Sequence, residues 1–179
     1  MIDMQIEELY KKYCNCRFRV TTDTRKIRGG EMFFALKGEN FDGNDFVETA
    51  LRNGAYWAVT DRESIPEGRG IIKVENSLKA LQDLASYHRG QMGDGRLPVI
   101  ALTGTNGKTT TKNLIKEVLS CRYKVTATEG NLNNDIGVPL SLLRITPRTQ
   151  IAVIEMGASH PDDIAKLVRI CKPDYGLIT

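Results

Sequence analysis

The sequence predicts an α/β protein with a small first domain and a second domain built on a parallel sheet. From residue 97 onward, strand-like apolar runs alternate with amphipathic segments of helix length. Strands that alternate with helices at this spacing imply crossover connections, and therefore parallel strands. Before residue 97 the strand-like runs are shorter and are separated by polar loops, which is typical of a smaller α/β domain.

Changes in this pattern predict where the domains and their elements lie. We place the first domain at residues 1–76, a linking helix and connection at 77–96, and the second domain at 97–179. In the second domain the pattern predicts strand 98–103, helix 107–120, strand 123–127, helix 137–144, strand 150–156, helix 161–171 and strand 174–179. In the first domain it predicts helices at 6–13 and 45–52 and strands at 18–22, 32–36, 56–60 and 71–74. The expected N-caps are Asp45 for helix 45–52 and Asn76 or Ser77 for the linking helix.

The composition is that of a soluble globular protein. Of the 179 residues, 41% are hydrophobic and 26% are charged, and the chain is long enough to bury a substantial core. No apolar run approaches the roughly 18 residues that a membrane span needs. The first helical stretch carries Glu7 and Glu8 in place of the apolar core of a secretory signal, so we expect a cytoplasmic protein.

Charge and cysteine usage argue against two further classes of protein. The 25 Lys and Arg residues barely exceed the 22 Asp and Glu residues and are scattered along the chain, which argues against nucleic-acid binding. Cys14 and Cys16 form one close pair without the second pair or the histidines of a zinc site, so we expect reduced thiols. Cys171 falls on the apolar face of a predicted helix and is expected in the core.

The strongest motif is a glycine-rich turn between a strand and a helix. Gly104 and Gly107 allow a tight bend that turns backbone N–H groups toward an anion, and the helix N-terminus adds partial positive charge. Lys108 can place its ammonium on the outer phosphates of a nucleotide, and the Thr109 hydroxyl can bind the accompanying Mg²⁺. We therefore predict nucleotide binding; the alternative is a structural turn followed by an ordinary surface lysine.

This motif is shorter than the usual P-loop. The usual pattern has a glycine five residues before Gly107, where this chain has Leu102, so the motif reads G-x-x-G-K-T. In the helix that follows, four apolar residues are expected to form one packing face: Leu114, Ile115, Val118 and Leu119.

Three loops are expected at one edge of the second sheet, because ligands bind where parallel strands end. These loops are 104–109, 129–135 and 155–160. Glu155 is the first charged residue after an apolar strand, as expected for a Mg²⁺ ligand; the alternative is a glutamate that caps the next turn. Three asparagines can contact phosphate or carboxylate oxygens, or simply form turns: Asn131, Asn133 and Asn134.

The first domain offers a weaker anion-binding signal. Arg25 and Lys37 lie in polar loops that could converge on an anionic ligand. The alternative is that Asp23, Arg25 and Lys37 are solvated surface charges that form at most a surface ion pair.

Taken together, these motifs resemble the Mur ligases, the ATP-dependent amino-acid-adding enzymes of peptidoglycan synthesis. The segment TGTNGKTT at 103–110 is similar to the ATP loop of that family, including its shortened spacing. Five further segments resemble family blocks: TTDTRK at 21–26, FFALKG at 33–38, NFDG at 40–43, NLNNDIGVPL at 131–140 and VIEMGA at 153–158. Those of the first domain are most similar to the branch of the family that adds D-Ala-D-Ala.

The resemblance implies a fold, cofactors and site residues. The fold is a substrate-binding domain followed by the first half of a P-loop ATPase domain, and the cofactors are ATP and Mg²⁺. The implied catalytic residues are Lys108 and Glu155, with Thr109 and Glu155 on the metal. The implied ATP-binding residues are Gly104, Thr105, Asn106, Gly107, Lys108, Thr109, Thr110 and Asn134. The implied residues for the UDP end of a UDP-MurNAc-peptide are Thr24, Arg25, Lys37, Gly38, Asp42 and Asn44, of which Asn44 stands where the family often has histidine.

The implied reaction transfers the γ-phosphoryl group of ATP to the peptide carboxylate, and the amine of D-Ala-D-Ala then attacks the acyl phosphate. Two alternatives remain: a sister ligase that adds a single amino acid, and a nucleotide-binding module without ligase activity. The family chain continues beyond a strand like 176–179, so we expect a truncated form, inactive alone. We also expect a monomer with no nucleic-acid partner and no membrane span.

Overall fold

The chain divides into two units, Met1–Leu84 and Ala85–Thr179, and each contains its own four-stranded parallel sheet. The structure is a computed structural model that describes residues 6–38 and 40–179. The first five residues of the predicted first domain and Glu39 lie outside this description. The division between the units falls inside the predicted linking segment 77–96.

The first unit has all its sheet strands in sequential order. Its elements are α1 (Ile6–Asn15), β1 (Val20–Thr21), β2 (Met32–Phe34), α2 (Val47–Arg52), β3 (Trp57–Thr60), β4 (Ile71–Lys73) and the start of α3 (Ser77–Gln91). The strands lie in the order β1-β2-β3-β4, and every pairing is parallel. Their carboxyl ends, and the loops that follow them, therefore lie at one edge of the sheet.

The core of the first unit explains why β2 is apolar throughout. All three residues of β2 are buried, because the strand lies inside the sheet and is covered on both faces. On one face, Phe33 and Ala58 pack with Val47 and Ala50 of the short helix α2. This helix is amphipathic and buries its apolar side against the sheet.

The structure identifies the capping residues at the start of two helices, and one of them differs from the prediction. Asp45 is not an N-cap: Asp42 Oδ1 accepts a hydrogen bond from Asn44 N at 2.9 Å and caps a 3₁₀ turn, Gly43–Phe46, that precedes α2. For α3 the choice between two residues is settled, since Asn76 Oδ1 accepts from Lys79 N at 2.8 Å.

The first strand is also shorter than predicted. Arg17 and Phe18 have positive φ angles of 54° and 59°, which excludes both from extended structure, and β1 begins at Val20.

The second unit follows the predicted alternation with small changes at the boundaries. After α3 its elements are β5 (Val99–Thr103), α4 (Lys108–Ser120), β6 (Val125–Ala127), α5 (Gly137–Leu142), β7 (Ile151–Glu155), α6 (Asp163–Cys171) and β8 (Tyr175–Ile178). The strands lie in the order β6-β7-β5-β8, all parallel. The connection after β5 leads toward one side of the sheet and the connection after β7 toward the other. The carboxyl ends of β5 and β7 thus flank the crevice where such sheets bind ligands.

The helix α4 packs on this sheet through a narrower face than predicted. Ile115 and Leu119 contact the core formed by Leu102, Ala127 and Val153. By contrast, Leu114 is 62% and Val118 70% exposed, so the predicted four-residue face is wrong for these two. Successive helical residues are about 100° apart, and the pair at i, i+4 that begins at Ile115 is the one that faces the sheet.

Two buried groups of the second unit are structural. His88 is buried with Nε2 2.9 Å from the carbonyl oxygen of Ile145, and burial lowers its pKa, so the ring is neutral and Nε2 donates. Cys171 is buried as predicted, and burial raises the pKa of its thiol to about 12. Among the described helices, none combines the length and the hydropathy that a membrane crossing requires.

Candidate functional site

The glycine-rich turn of the second unit has the backbone shape that phosphate binding requires. Gly104 has a φ angle of 143° and Gly107 one of 78°, values that residues with a Cβ rarely adopt. The turn leads directly into α4, whose first hydrogen bond runs from Thr111 N to Gly107 O at 2.8 Å. The N–H groups at the start of α4 therefore lack helical partners and are available to an anion.

Lys108 lies over this turn. Its Nζ donates to the carbonyl oxygen of Gly104 at 2.7 Å, so the ammonium is held at the loop. Three predicted nucleotide-binding residues are exposed around it: Thr105, Asn106 and Thr110. The carbonyl oxygen of Asn106 accepts from Thr179 Oγ1 at 2.6 Å, which joins the turn to the residue after β8.

Glu155 ends β7 directly beside the turn. Leu102 and Glu155 are partners in the register of β5 and β7, and the carboxylate is buried. Thr109 Oγ1 lies 3.0 Å from one carboxylate oxygen of Glu155 and 3.2 Å from the other, so its single proton is shared between them. Thr109 and Glu155, the two residues predicted to bind the metal, are therefore in direct contact.

The remaining predicted loop, 129–135, also contacts Glu155. Asn133 Nδ2 donates to Glu155 Oε1 at 3.0 Å, and its backbone oxygen accepts from Gly157 N at 2.7 Å. At the end of β6, Thr128 Oγ1 accepts from the backbone N–H of Glu155 at 3.0 Å. The loops after β5, β6 and β7 thus meet at one carboxylate, as the parallel sheet predicts.

Lys112 also contacts this carboxylate, although no motif in the sequence identified it as a site residue. Its Nζ lies 3.6 Å from Glu155 Oε2, and both side chains are almost fully buried, at 4% and 2% exposure. The available signal was its spacing: Lys112 precedes Ile115 and Leu119 by three and seven residues, which places it on the face of α4 that packs on the sheet.

Asn134 has a structural role. Its Oδ1 accepts from Gly137 N at 2.8 Å and from Ile136 N at 3.3 Å, so this side chain forms the turn that starts α5. A contact between Asn134 and a nucleotide stays a prediction.

The donor set at Glu155 suits a Mg²⁺ ion that arrives with a nucleotide. Mg²⁺ prefers oxygen ligands and keeps several waters and phosphate oxygens, so one hydroxyl and one carboxylate suffice on the protein side. Thr109 and Glu155 provide these two groups. Within residues 6–38 and 40–179, no group of three His, Cys, Asp or Glu side chains could hold a metal ion by themselves.

A second polar cluster lies at the carboxyl edge of the first sheet, with Asn44 at its centre. The side chain is buried, and its Nδ2 donates to Asp42 Oδ1 at 2.7 Å and to Asp61 Oδ1 at 2.9 Å. Its Oδ1 accepts from Thr60 Oγ1 at 2.5 Å. Asn44 therefore ties the loop after β2 to the end of β3.

Two charged residues of this cluster were missed from the sequence. Asp61 pairs with Lys37 at 3.1 Å, and Arg62 pairs with Asp42 at 2.8 Å. Burial alone would raise the pKa of Asp61, but hydrogen bonds from Asn44 and Lys37 outweigh it and the pKa is lowered. Both residues directly follow the buried strand β3, which was the signal that could have identified them.

The remaining predicted residues of the first unit differ in how they are held. Gly38 N donates to Phe41 O at 2.9 Å, and a Cβ on Gly38 would lie 2.5 Å from the Phe41 ring. Thr24 begins a 3₁₀ turn capped by Asp23, and its carbonyl oxygen accepts from Asn53 Nδ2 at 3.1 Å. Arg25, whose side chain is 88% exposed, pairs with Asp23 at 2.8 Å, so this ion pair lies at the surface.

This surface pair gives a direct prediction. Hydrogen bonds from Arg25 lower the pKa of Asp23 from 3.8 to about 2. The ionised form is the stabilised one, so the contribution of the pair is present above the ordinary pKa and is lost as the pH falls through about 2. We expect the carboxyl-carbon NMR shift of Asp23 to titrate near pH 2, and close to 3.8 in Arg25→Ala. Lys26 is the smallest contributor to the lowered pKa, so Lys26→Ala should raise the midpoint much less than Arg25→Ala does. Equal midpoints for wild type and Arg25→Ala would contradict the assignment.

Comparison with known proteins identifies the class to which this fold and site belong. The model described as "Mur ligase family, catalytic domain" matches residues 19–89, and the "Mur ligase middle domain" model matches residues 102–179. Between them the two models cover most of the chain, including both clusters described above. The chain belongs to the Mur ligase family.

Particular relatives narrow the comparison to one branch of that family. The UDP-N-acetylmuramoyl-tripeptide–D-alanyl-D-alanine ligase of Bacillus subtilis (strain 168) is 45% identical over 162 residues, which is 89% of this chain and 35% of the relative. A crystal structure of MurF from Acinetobacter baumannii superposes with a TM-score of 0.82 at 41% identity, over 89% of this chain and 35% of that one.

A third relative was solved with a nucleotide. MurF ligase from Thermotoga maritima in complex with ADP gives a TM-score of 0.77 at 40% identity and covers 87% of this chain and 36% of that one. The chain thus spans about a third of the length of the relatives it matches.

Proposed function

We propose that this chain binds ATP with Mg²⁺ and UDP-MurNAc-tripeptide, as part of a ligase that adds D-Ala-D-Ala in peptidoglycan precursor synthesis. The observation that carries the proposal is the contact between the Thr109 hydroxyl and the buried Glu155 carboxylate, 3.0 Å apart, at the start of the helix that follows the glycine turn. A hydroxyl and a carboxylate so placed are the protein ligands of Mg²⁺ in phosphate-loop sites. ATP is used inside cells, so the proposal also places the reaction in the cytoplasm.

Each side chain of the loop has a separate task in this proposal. The N–H groups of the turn and of the first turn of α4 receive the phosphate oxygens. Lys108 moves its ammonium from the Gly104 carbonyl oxygen to the outer phosphates, while Thr109 and Glu155 hold the cation. Bound Mg²⁺ supplies positive charge that offsets the charge of the phosphates during transfer.

The relatives support the choice of substrates. The name of the B. subtilis relative specifies a tripeptide substrate and D-alanyl-D-alanine, and the T. maritima relative was solved with ADP. In the proposed reaction the peptide carboxylate oxygen bonds to the γ-phosphorus of ATP as the bond to ADP breaks. The amine of D-Ala-D-Ala then forms the amide, loses a proton and releases phosphate. Lys108 stabilises the transferring charge, and no protein nucleophile is needed.

We assign the UDP end of the substrate to the first unit. Lys37 and the Asp42–Asn44 turn lie at the carboxyl edge of its parallel sheet, where Asn44 fixes the turn against Asp61. The Lys37 side chain is 56% exposed and pairs with Asp61. The diphosphate of the substrate would replace Asp61 as the partner of the Lys37 ammonium. We assign Gly38, Thr24 and Arg25 to the same substrate, because they lie in the loops that follow β1 and β2.

Binding measurements on the chain test both halves of the proposal. We expect calorimetric titration to show binding of Mg·ATP and, separately, of UDP-MurNAc-tripeptide. Lys37→Ala should weaken binding of the second ligand by about 10- to 100-fold and leave binding of the first unchanged, since a lost charged contact costs about 1.5–3 kcal/mol. Lys11→Ala, an exposed lysine of α1, is the control and should change neither. ATP binding without affinity for any UDP-sugar would instead favour a nucleotide-binding module.

A further inference from the structure

Lys112 and Glu155 form a buried ion pair beside the phosphate loop. The two side chains are 4% and 2% exposed and their charged atoms lie 3.6 Å apart. A buried charge is costly unless it is paired, so each of these groups depends on the other. The proposed reaction uses Glu155 but gives no role to Lys112.

The other contacts of Glu155 show what the lysine contributes. Asn133 and Thr109 donate hydrogen bonds to the carboxylate, but both are neutral groups. Lys112 adds the full positive charge that balances the carboxylate before any metal is bound. It approaches Oε2, while Asn133 approaches Oε1, so the carboxylate is held from both sides.

Lys108 and Lys112 lie one helical turn apart on α4 and have different partners. The ammonium of Lys108 is hydrogen-bonded to the carbonyl oxygen of Gly104, in the exposed turn. Lys112 is buried and is paired with Glu155. Lys108 is therefore placed to meet phosphates, and Lys112 is placed to act on the carboxylate.

We propose that Lys112 is a positioning residue that balances the charge of the Glu155 carboxylate and so lowers its affinity for a divalent cation until a nucleotide is present. The inference rests on the proposed function in one respect, that Glu155 is a cation ligand. A divalent cation on Glu155 comes close to the Lys112 ammonium and is repelled by it. The site is thus balanced in charge without a metal and gains affinity for the cation when a nucleotide brings the negative charge of its phosphates.

The test uses Mn²⁺ alone, followed by electron paramagnetic resonance, without any nucleotide. Lys112→Met keeps the length and the burial of the side chain and removes its charge. We expect Mn²⁺ to bind this variant about tenfold more tightly than the wild type, because one nearby positive charge is lost. Lys112→Arg keeps the charge and should bind Mn²⁺ like the wild type.

Two controls separate this role from a purely structural one. Lys116→Met removes a charge one turn further along α4, from a side chain that is 45% exposed, and should leave Mn²⁺ affinity unchanged. Glu155→Gln in the Lys112→Met background should abolish the gain, since the cation ligand is then absent. A structural lysine predicts the reverse of the main result: Lys112→Met would bind Mn²⁺ equally or more weakly, and that outcome would overturn the proposal.

A melting experiment covers the case in which Lys112→Met is unstable. Its unpaired buried carboxylate should lower the melting temperature, and Mn²⁺ should restore part of the loss, more than it shifts the wild type. If the variant folds poorly, added Mn²⁺ should restore its folded fraction, since the cation replaces the positive charge lost beside Glu155; failure of Mn²⁺ to do so would overturn the proposal. Because no nucleotide is present, absence of ATP binding would count against the proposed function and not against this inference.

Discussion

Replacing Lys108 with alanine is expected to weaken Mg·ATP binding to this chain by at least about 100-fold. The ammonium lies at the glycine turn, 2.7 Å from the Gly104 carbonyl oxygen, where the outer phosphates would bind. A bound phosphate would cover this ammonium, and truncating one partner of a buried, hydrogen-bonded charge pair costs roughly 2–5 kcal/mol; about 2.7 kcal/mol corresponds to the expected factor. Equilibrium dialysis with labelled ATP measures the affinity directly.

A matched control accompanies the Lys108 variant. Lys116→Ala removes the same charge from the same helix, two turns further on, and should change ATP affinity by less than twofold. Circular dichroism should show equal helix content in both variants. An ATP affinity of Lys108→Ala within threefold of the wild type would reject the phosphate-loop assignment, and with it the proposed role of the turn.

Gly137→Ala is expected to destabilise the second unit by about 3 kcal/mol, near the upper end for overpacking. A Cβ at this position would lie 2.3 Å from the carbonyl carbon and 2.4 Å from the Cα of Leu132. Both are backbone atoms and cannot rotate away, so α5 or the loop before it must move. Leu132 precedes Asn133, which contacts Glu155, and the shift therefore extends into the candidate site. Thermal unfolding should show a midpoint for this unit lowered by roughly 12–24 °C.

Gly90→Ala is the matched control for that variant. A Cβ on Gly90 meets nothing within 4 Å, and the residue lies near the end of α3 with no positive φ angle. We expect a gain of about 0.5 kcal/mol, because alanine loses less conformational freedom in a helix. If Gly137→Ala were as stable as Gly90→Ala, the close approach to Leu132 would be wrong.

Much of the geometry of the site in the second unit could be predicted, because each motif lies within one short segment. The parallel order of the strands then brings these segments together. The glycine turn and Glu155 each follow a strand, and parallel strands bring their carboxyl ends to the same edge. Lys112 was not predicted, and the reason is physical. A charged residue on the packed face of a helix breaks the amphipathic pattern, and the partner of Lys112 is 43 residues away in sequence, on β7.

The first unit was harder to predict from sequence. Its strands have two to four residues, and β3 connects to its parallel neighbour β4 without a helix, so the usual sign of a parallel crossover is missing. Asp61 could not be linked to Asn44 or Lys37 until the order of the strands was known. The Asn44 side chain was predicted as a ligand contact, whereas in the structure it joins two loops; its contact with substrate stays a prediction.

The hydrogen bond between Lys108 and the carbonyl oxygen of Gly104 affects how nucleotide binding should be measured. When the Lys108 ammonium binds a phosphate, one charge-assisted hydrogen bond replaces another, and the Gly104 carbonyl oxygen accepts from water instead. The Lys108 contact then contributes only the difference between two similar bonds to the heat of binding, so calorimetric heat is a poor measure of this one contact. Because Lys108 is already held at the turn, little side-chain entropy is lost when it meets a phosphate, and the affinity measured by dialysis reports its contribution more directly than the heat does.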